Sequence, residues 1–366
     1  NRADMLAELM KNKKSIAVAG SHGKTTTTSL IGNILDNANY DPTIINGGII
    51  NSYSKNNKYG KGKWLIAEAD ESDGSFLRLP HHISVITNID IEHLDYYKNE
   101  ENIINAFESF ILNLPFDGFS IVCFDNKYLK KLIKKIKTRN LITYSIKDKK
   151  ADIFIKDINN NNNFSFFTIK INKRINGYIG IYKFKIKLLG DHNILNGSAS
   201  IIASLLAGVK INTVKKSLLN YHGVKRRFIY IGKKKKALIY DDYAHHPTEI
   251  KATYLAAKKI TSNIVVVFQP HRYTRTNYLM SEFINVLSKI KKIYILRTYS
   301  AGEKLIKGAT SKDIVINLLK KNKHSTYIHN ERNLYKFLNK HTSQKKLIIF
   351  MGAGSISKIA HDFIDT

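Results

Sequence analysis

A short glycine-containing segment carries the residue types that bind nucleotide phosphates. It consists of Gly20, Ser21, His22, Gly23, Lys24, Thr25 and Thr26. Glycines let backbone N–H groups approach phosphate oxygens, and a helix that starts behind them favours negative charge. We expect Lys24 to reach the β- and γ-phosphates and the Thr25 hydroxyl to bind Mg²⁺. A tight turn without a ligand is the alternative, since the usual motif would need glycine where Val18 stands.

Two later segments supply the acids and bases that such a site needs. Residues 68–73 bring Glu68 and three further carboxylates directly after an apolar run, and residues 87–95 bring His93 after another. Mg²⁺ prefers carboxylate oxygens, so we expect Glu68 beside it. An acidic surface loop and a structural histidine are the alternatives. The position of both segments at predicted strand ends, after a phosphate loop, favours a site.

To form one site, these segments must lie at the same edge of a β-sheet. The chain alternates short apolar runs with helical patterns, beginning with a strand at 16–19 and a helix at 25–35. Further strands are predicted at 64–67, 84–86 and 119–124, and a helix at 102–112. Repeated strand–helix units predict an α/β fold with a mainly parallel sheet, which holds ligands at the carboxyl ends of its strands.

From Ala151 onwards the sequence pattern changes. Residues 164–171 and 178–188 alternate like antiparallel strands, and the asparagine run at 159–163 is expected in a loop. A helix follows at 193–206. Strands then recur among helical patterns at 264–268, 293–296 and 347–350. We therefore predict two domains, residues 1–222 and 223–366, the second a Rossmann-like α/β domain.

Charge and composition narrow the classes of protein. The formal net charge of +30 could attract nucleic acid. The lysines are spread along the whole chain, however, and compositional drift explains them more simply. The run Lys233–Lys236 is expected to be a solvated hairpin turn. A single cysteine, Cys123, excludes an internal disulfide framework and fits the cytoplasm. No apolar run is long enough to span a membrane, and no signal-peptide pattern begins the chain.

Taken in order, the motifs resemble those of the Mur ligase family. The segments at 20–28, 68–73 and 87–95 are similar to signatures of its central domain. Later segments agree with the family along nearly the whole chain: 190–196, 223–228, 241–247, 268–275, 299–303 and 351–354. Ser21 stands where threonine is more usual and Glu92 where aspartate is usual. Both substitutions keep the chemistry available.

The resemblance implies three domains: a UDP-binding domain, a central ATPase domain and a C-terminal domain. The sequence begins where the central domain of the family begins, so we expect that the first domain is absent from this chain. The central domain is expected to be a phosphate-loop ATPase domain with an antiparallel excursion.

The resemblance also implies roles for individual residues. Lys24 and the loop backbone would bind ATP phosphates, while Thr25, Glu68 and His93 would surround Mg²⁺. His192, Asn193 and Asn196 would face the adenine, and Arg227 would support phosphate. The substrate side is implied to consist of Tyr243, His245, Arg272 and Arg275. His93 and His245 are both candidates for the base, because an unperturbed imidazole titrates near neutrality.

The implied activity is an ATP-dependent ligation of L-alanine to the carboxylate of UDP-N-acetylmuramate, through an acyl phosphate, in peptidoglycan synthesis. The expected partners are these small molecules, with no nucleic acid or membrane partner. A ligase that joins a preformed tripeptide to the same muramate is the nearest alternative. A folate polyglutamating ligase would not be expected to carry the 268–275 motif. An inactive fragment is another alternative, and a nucleic-acid-stimulated ATPase is an alternative from a different class.

Overall fold

The computed structural model describes residues 2–136, 140–161, 164–321 and 325–366. Its chain divides into two compact units, Asn1–Lys225 (unit 1) and Arg226–Thr366 (unit 2). The domain boundary before Gly223 stays a prediction. Asn162 and Asn163, at the end of the asparagine run, lie outside the described residues, as does the side chain of Asp95.

Unit 1 is built on one ten-stranded sheet with helices beside it. Its strands are β1 (Lys14–Ala19), β2 (Thr43–Ile50), β3 (Lys55–Lys58), β4 (Trp64–Glu68), β5 (Ile83–Ile86), β6 (Phe119–Cys123), β7 (Leu141–Ser145), β8 (Ile153–Asn161), β9 (Phe164–Ile175) and β10 (Tyr178–Ile186). Its helices are α1 (Arg2–Lys11), α2 (Lys24–Asn37), α3 (Leu94–Tyr97), α4 (Glu100–Leu112), α5 (Lys127–Ile133), α6 (Asp191–Leu206) and α7 (Ile211–Leu219), with a 3₁₀ turn at Ser75–Arg78.

The strand order is β10-β9-β8-β7-β6-β5-β1-β4-β2-β3. Pairing is parallel from β8 through β2, and antiparallel among β8, β9 and β10 and between β2 and β3. Because β5, β1 and β4 are neighbours, the loops that follow them meet at one edge of the sheet. The predicted parallel sheet with an antiparallel excursion is confirmed.

Burial explains why these segments form strands. The central strands β1 and β5 are buried along nearly their whole length, as expected for parallel strands covered on both faces. Strand β9 instead alternates, with Phe167, Ile169 and Ile171 buried. The asparagine run was predicted as a loop. This is wrong for Asn159–Asn161, which continue β8 and pair with β9. Cross-strand pairing outweighed the weak strand preference of asparagine.

Unit 2 carries a six-stranded sheet in the order β11-β12-β16-β13-β14-β15. The strands are β11 (Ile229–Lys234), β12 (Ala237–Asp242), β13 (Ile264–Phe268), β14 (Ile293–Leu296), β15 (Ser325–Ile328) and β16 (Leu347–Met351). The helices are α8 (Pro247–Lys258), α9 (Tyr273–Tyr278), α10 (Met280–Leu287), α11 (Ser311–Lys321), α12 (Glu331–Asn339) and α13 (Ile356–Asp365).

Pairing in unit 2 is parallel except between β11 and β12, which form a hairpin. Lys235 and Lys236 make its turn, as predicted, although β11 continues through Lys234. Two hydrophobic clusters flank the sheet, one built around Phe268 and Phe283 and the other around Phe350 and Phe363. The predicted second α/β unit is confirmed.

Two further features bear on the chemistry of the chain. Cys123, at the end of β6, is a buried free thiol, and burial raises its pKa to about 12. Across the described residues, no helix combines the length and the apolar character needed to cross a bilayer.

Candidate functional site

The glycine-containing loop connects the carboxyl end of β1 to the start of α2. Gly20 has φ 127° and Gly23 has φ 87°, values that favour glycine. Asn88, in the loop after β5, fixes the turn: its carbonyl accepts from Ser21 N–H at 3.2 Å and its Oδ1 accepts from His22 N–H at 2.9 Å. Hydrogen bonds to the segment after β5 therefore fix the conformation of the glycine-containing loop.

Lys24, the first residue of α2, lies inside this loop. Its Nζ donates to Gly20 O at 2.8 Å and to both oxygens of Glu71, at 2.9 and 2.7 Å. Glu71 is 3% exposed. Burial disfavours the charged lysine, but the carboxylates of Glu71 and Glu68 outweigh it and raise the pKa of Lys24. A charged ammonium group is thus held inside the glycine-containing loop.

The Thr25 hydroxyl points towards the acidic segment after β4. It donates to Glu68 Oε1 at 3.1 Å, and Glu68 Oε2 accepts from Gly47 N–H at 2.7 Å. The structure therefore brings the predicted metal ligands Thr25 and Glu68 together. Thr26, also predicted to contact the nucleotide, is buried in α2.

His93 follows β5 and has φ 56°, an uncommon conformation for a residue other than glycine. Its Nε2 lies 4.0 Å from Glu71 Oε1 and 3.8 Å from Glu92 Oε2. His93 therefore shares Glu71 with Lys24. His22 Nε2 forms a separate contact with Asp90 Oδ2 at 2.8 Å, which ties the loop to the segment after β5.

The predicted adenine residues lie at the start of α6. Asn193 and Asn196 are buried, and Asn193 donates to Leu189 O at 2.8 Å. A Cβ on Gly23 would come within 2.5 Å of Asn196 Oδ1. The structure thus places Asn196 against the loop. His192 lies one position earlier than Asn193 and is partly exposed.

In unit 2, a second cluster follows the carboxyl end of β12. His245 Nδ1 lies 2.9 Å from Tyr243 O, and the two rings meet edge to face with centroids 5.2 Å apart. Glu249, in the first turn of α8, accepts from His245 N–H at 3.1 Å and from His246 N–H at 3.3 Å. It also lies 3.7 Å from Arg227 Nη1. One carboxylate therefore organises the backbone and side chains of two predicted site residues.

The segment after β13 joins the same cluster. The rings of His245 and His271 have centroids 5.9 Å apart, and His271 stacks on Tyr299. Arg275 Nη1 lies 3.3 Å from both His271 Nδ1 and His271 O. Arg272 is exposed, has φ 71°, and donates its backbone N–H to Tyr299 O. Unit 2 thus assembles Arg227, Tyr243, His245 and Arg275, with Arg272 beside them.

Burial shifts the ionisation of this cluster. It lowers the pKa of His245 to about 4 against the opposing effect of Glu249, and it lowers the pKa of His271 to about 4 together with Arg275 and Arg272. Burial also raises the pKa of Asp242 to about 7, although Thr253 and the Ala244 N–H donate to it. Both imidazoles are therefore neutral at pH 7.

We expect the His245 ring to titrate near pH 4 in an NMR titration, with its resonances assigned by their loss in His245→Gln. Because the pKa in the folded state lies below the unfolded value near 6.5, this residue stabilises unit 2 above pH 6.5. That contribution is lost as the pH falls from 6.5 to 4. In the His245→Gln variant, the free energy of unfolding should fall less steeply as the pH decreases. The difference corresponds to roughly one proton that the wild-type chain takes up on unfolding. A ring that titrates near 6.5 would contradict the burial argument.

Three residues emerge from the structure that the sequence-based site omitted: Glu71, Glu249 and His271. Glu71 and His271 lie inside recognised motifs but were given no role. Glu249 carried a local signal, since it stands three residues after the N-cap residue His246, with Pro247 at the first helical position. This is the spacing of a capping box.

The strand–loop–helix with Lys24 and Thr25, at the carboxyl edge of a parallel sheet, defines a phosphate-loop nucleotide-binding protein. Residues 18–204 match the Mur ligase middle domain, and residues 226–354 match the Mur ligase, glutamate ligase domain. The chain belongs to the Mur ligase family, as its motifs indicated.

Individual relatives agree. The chain is 45% identical to a UDP-N-acetylmuramate–L-alanine ligase of Rickettsia felis, over 99% of this chain and 77% of the relative. Among solved structures, the UDP-N-acetylmuramate–alanine ligase of Thermotoga maritima has a TM-score of 0.81 and 26% identity, with 100% of this chain and 77% of that chain covered. The fold is also similar to a MurF ligase from Thermotoga maritima in complex with ADP, with a TM-score of 0.76, 17% identity, and coverage of 100% and 84%.

Proposed function

We propose that this chain is an ATP-dependent ligase that joins the amino group of L-alanine to the carboxylate of UDP-N-acetylmuramate, in peptidoglycan synthesis. The observation that carries the proposal is the 45% identity, along 99% of the chain, to a ligase named for this reaction. The ion-paired Lys24 in its loop supports the use of ATP.

The site of unit 1 fits a magnesium ion by the chemistry of its donors. The Thr25 hydroxyl and the Glu68 carboxylate already lie 3.1 Å apart, and both are hard oxygen donors. We propose that these two residues hold Mg²⁺, with His93 at its periphery. The ion would neutralise charge on the ATP phosphates.

The reaction needs an activated carboxylate, because a carboxylate is a poor electrophile. The γ-phosphoryl group of ATP moves to the muramoyl carboxylate oxygen, which gives an acyl phosphate and ADP. Lys24 and the backbone N–H groups of the loop would stabilise the charge that develops on the transferred group. Lys24 contacts both oxygens of Glu71 in the structure, so it would exchange part of that contact for phosphate oxygens when ATP binds.

The second step forms the amide bond. The amino group of alanine, after losing a proton, attacks the acyl carbon, and inorganic phosphate leaves from the tetrahedral intermediate. We propose that Arg272 and Arg275 bind carboxylate or phosphate oxygens and that Arg227 supports phosphate. His93 and His245 remain the candidate proton acceptors. The lowered pKa of His245 disfavours its protonated form and leaves it better suited to accept a hydrogen bond from the amine.

With UDP-N-acetylmuramate and Mg-ATP present, we expect L-alanine to trigger release of ADP and phosphate. The kcat/KM for a preformed tripeptide should be lower by roughly a hundredfold, because a pocket for one small residue excludes a longer chain. A coupled ADP-release assay with each acceptor measures the ratio. Omission of the muramate is the control. Faster turnover with tripeptide would assign the chain to wall recycling, and stimulation by DNA would favour the nucleic-acid-stimulated ATPase.

We further propose that the ligase works in the cytoplasm. The support is chemical: the single cysteine is a buried thiol, as suits a reducing compartment.

A further inference from the structure

The outer side of the antiparallel excursion presents lysines and apolar side chains in alternation. Antiparallel register places residues of β8, β9 and β10 in three rows across the sheet. The first row holds Phe154, Lys170 and Ile181, the second Lys156, Thr168 and Lys183, and the third Asn159, Phe166 and Lys185. Residues directly opposite one another in an antiparallel pair share a face. We refer to these nine residues as the lysine–apolar face.

The two faces of this part of the sheet differ in what covers them. On the inner face, Phe167 and Ile169 of β9 are buried, α6 packs on β9, and α7 packs on β10. On the outer face, Ile181 is 58% exposed and Phe166 is 37% exposed. Thr168 is buried although it lies on this face, where Lys156 and Lys183 are its neighbours in the same row.

The charge on the lysine–apolar face is positive and little compensated. Lys156 pairs with Asp157 at 3.6 Å, on the exposed surface. Within the described part of the chain, Lys170, Lys183 and Lys185 form no ion pair with a carboxylate. The face therefore carries an uncompensated positive charge, in a chain whose overall net charge is +30.

Strand β10 is also the edge of the ten-stranded sheet. Exposed edges are normally protected by charge, proline or a covering element. Here Ile179, 51% exposed, and Ile181 lie on the edge strand itself. Aliphatic side chains at an open sheet edge, next to lysines that form no ion pair, are complementary to a partner surface that is both apolar and anionic. The lysines oppose edge-to-edge pairing with a second copy, since like charges would meet.

We propose that the lysine–apolar face docks reversibly on an anionic phospholipid bilayer. Lysine stems can lie along the interface with their ammonium groups at the lipid phosphates, while Ile179 and Ile181 enter the acyl boundary. Such peripheral contact needs no spanning helix, so it does not conflict with the absence of an apolar run in the sequence.

A single-stranded nucleic acid is the competing occupant, and the geometry disfavours it. Sequence-independent binding of single strands depends on aromatic rings with free faces for base stacking. Here Lys185 Nζ lies 4.0 Å from the ring centroid of Phe164 and 5.1 Å from that of Phe166. An ammonium group thus covers one face of each of these two rings. Phe154 is the other aromatic residue of the lysine–apolar face and is only partly exposed, and the exposed apolar side chains on β10 are aliphatic.

The proposal is tested by co-sedimentation of the 366-residue chain with vesicles of phosphatidylglycerol and phosphatidylcholine, and with phosphatidylcholine alone. We expect binding to the anionic vesicles that weakens with salt, and none to the neutral ones. The triple variant Lys170→Gln, Lys183→Gln and Lys185→Gln should bind on the order of 100-fold more weakly, at about fivefold per lysine. The pair Ile179→Ser and Ile181→Ser should lower binding by about tenfold.

The matched control removes the same charge elsewhere, by Lys233→Gln, Lys235→Gln and Lys236→Gln in the hairpin of unit 2. It should change binding by less than about threefold. Ligation activity should be unchanged in both triple variants, which reports that they fold. An equal loss of vesicle binding in both triple variants would mean that only the net charge of the chain matters, which would overturn the proposal. The proposal would also be overturned if the chain failed to bind anionic vesicles at low salt. The same holds if a single-stranded oligonucleotide displaced the chain from the vesicles at a phosphate concentration below that of the lipid.

Discussion

Replacement of Lys24 by methionine is expected to lower kcat for ligation by at least about a thousandfold. The ammonium group is the only cation among the described residues that reaches into the loop from α2, held between Gly20 O and Glu71. Without it, the charge that develops on the transferred phosphoryl group would be stabilised only by the backbone N–H groups of the loop and by the proposed Mg²⁺. Steady-state release of ADP at saturating substrates measures the change.

The control for this variant must separate catalysis from folding. Within the described part of the chain, loss of Lys24 leaves the buried carboxylate of Glu71 with only His93 Nε2, 4.0 Å away. Removal of one partner from comparable buried pairs costs about 3–5 kcal/mol of stability. The double variant Lys24→Met, Glu71→Gln should recover much of that stability but none of the activity. Lys14→Met, at the exposed opposite end of β1, is the matched lysine control and should remain active. A folded double variant with near-normal ligation would refute the assignment of Lys24.

Substitution of Gly20 by alanine is expected to destabilise unit 1 by about 3–5 kcal/mol, from backbone strain together with overpacking. Gly20 has φ 127°, and a Cβ there would lie 2.3 Å from Thr87 Oγ1 and 2.8 Å from Asn88 O. Because Asn88 also shapes the loop, ATP affinity should fall as well. Fluorescence of Trp64, the single tryptophan of the chain, follows the unfolding of unit 1 in urea.

Gly177 offers a matched comparison, because it has φ 89° but nothing within 4 Å of its Cβ position. Gly177→Ala should therefore cost only about 1 kcal/mol, the conformational part of the effect. The difference between the two variants isolates the steric contact with the segment after β5. Equal destabilisation of both would mean that the close approach of Gly20 and Thr87 contributes nothing.

The sequence was most informative where chemistry and periodicity coincide. The strands at 264–268 and 293–296 were predicted to the residue, because each is a continuous apolar run bounded by polar residues. The loop around Lys24 was equally visible, since glycine and lysine at that spacing have few other uses. The recognised motifs then indicated the family, which the domain matches established.

Other features depend on tertiary contacts that no local pattern encodes. Strand β8 extends through Asn159–Asn161 because β9 pairs with it. Glu71 is one of four carboxylates in its segment. Lys24 pairs with this one because of the path that the loop after β4 takes, which the sequence does not reveal. The lowered pKa of His245 requires burial, which residue type cannot predict. The roles of the site residues themselves remain predictions.

The buried state of Cys123 has a practical consequence for spectroscopy. A thiol with its pKa raised to about 12 has almost no thiolate at neutral pH, and thiolate is the form that reacts with maleimides. A cysteine introduced on an exposed face of unit 2 would therefore be labelled selectively without removing the native one. Energy transfer from Trp64 to an acceptor at that position would then test whether ligands change the separation of these two labelled positions.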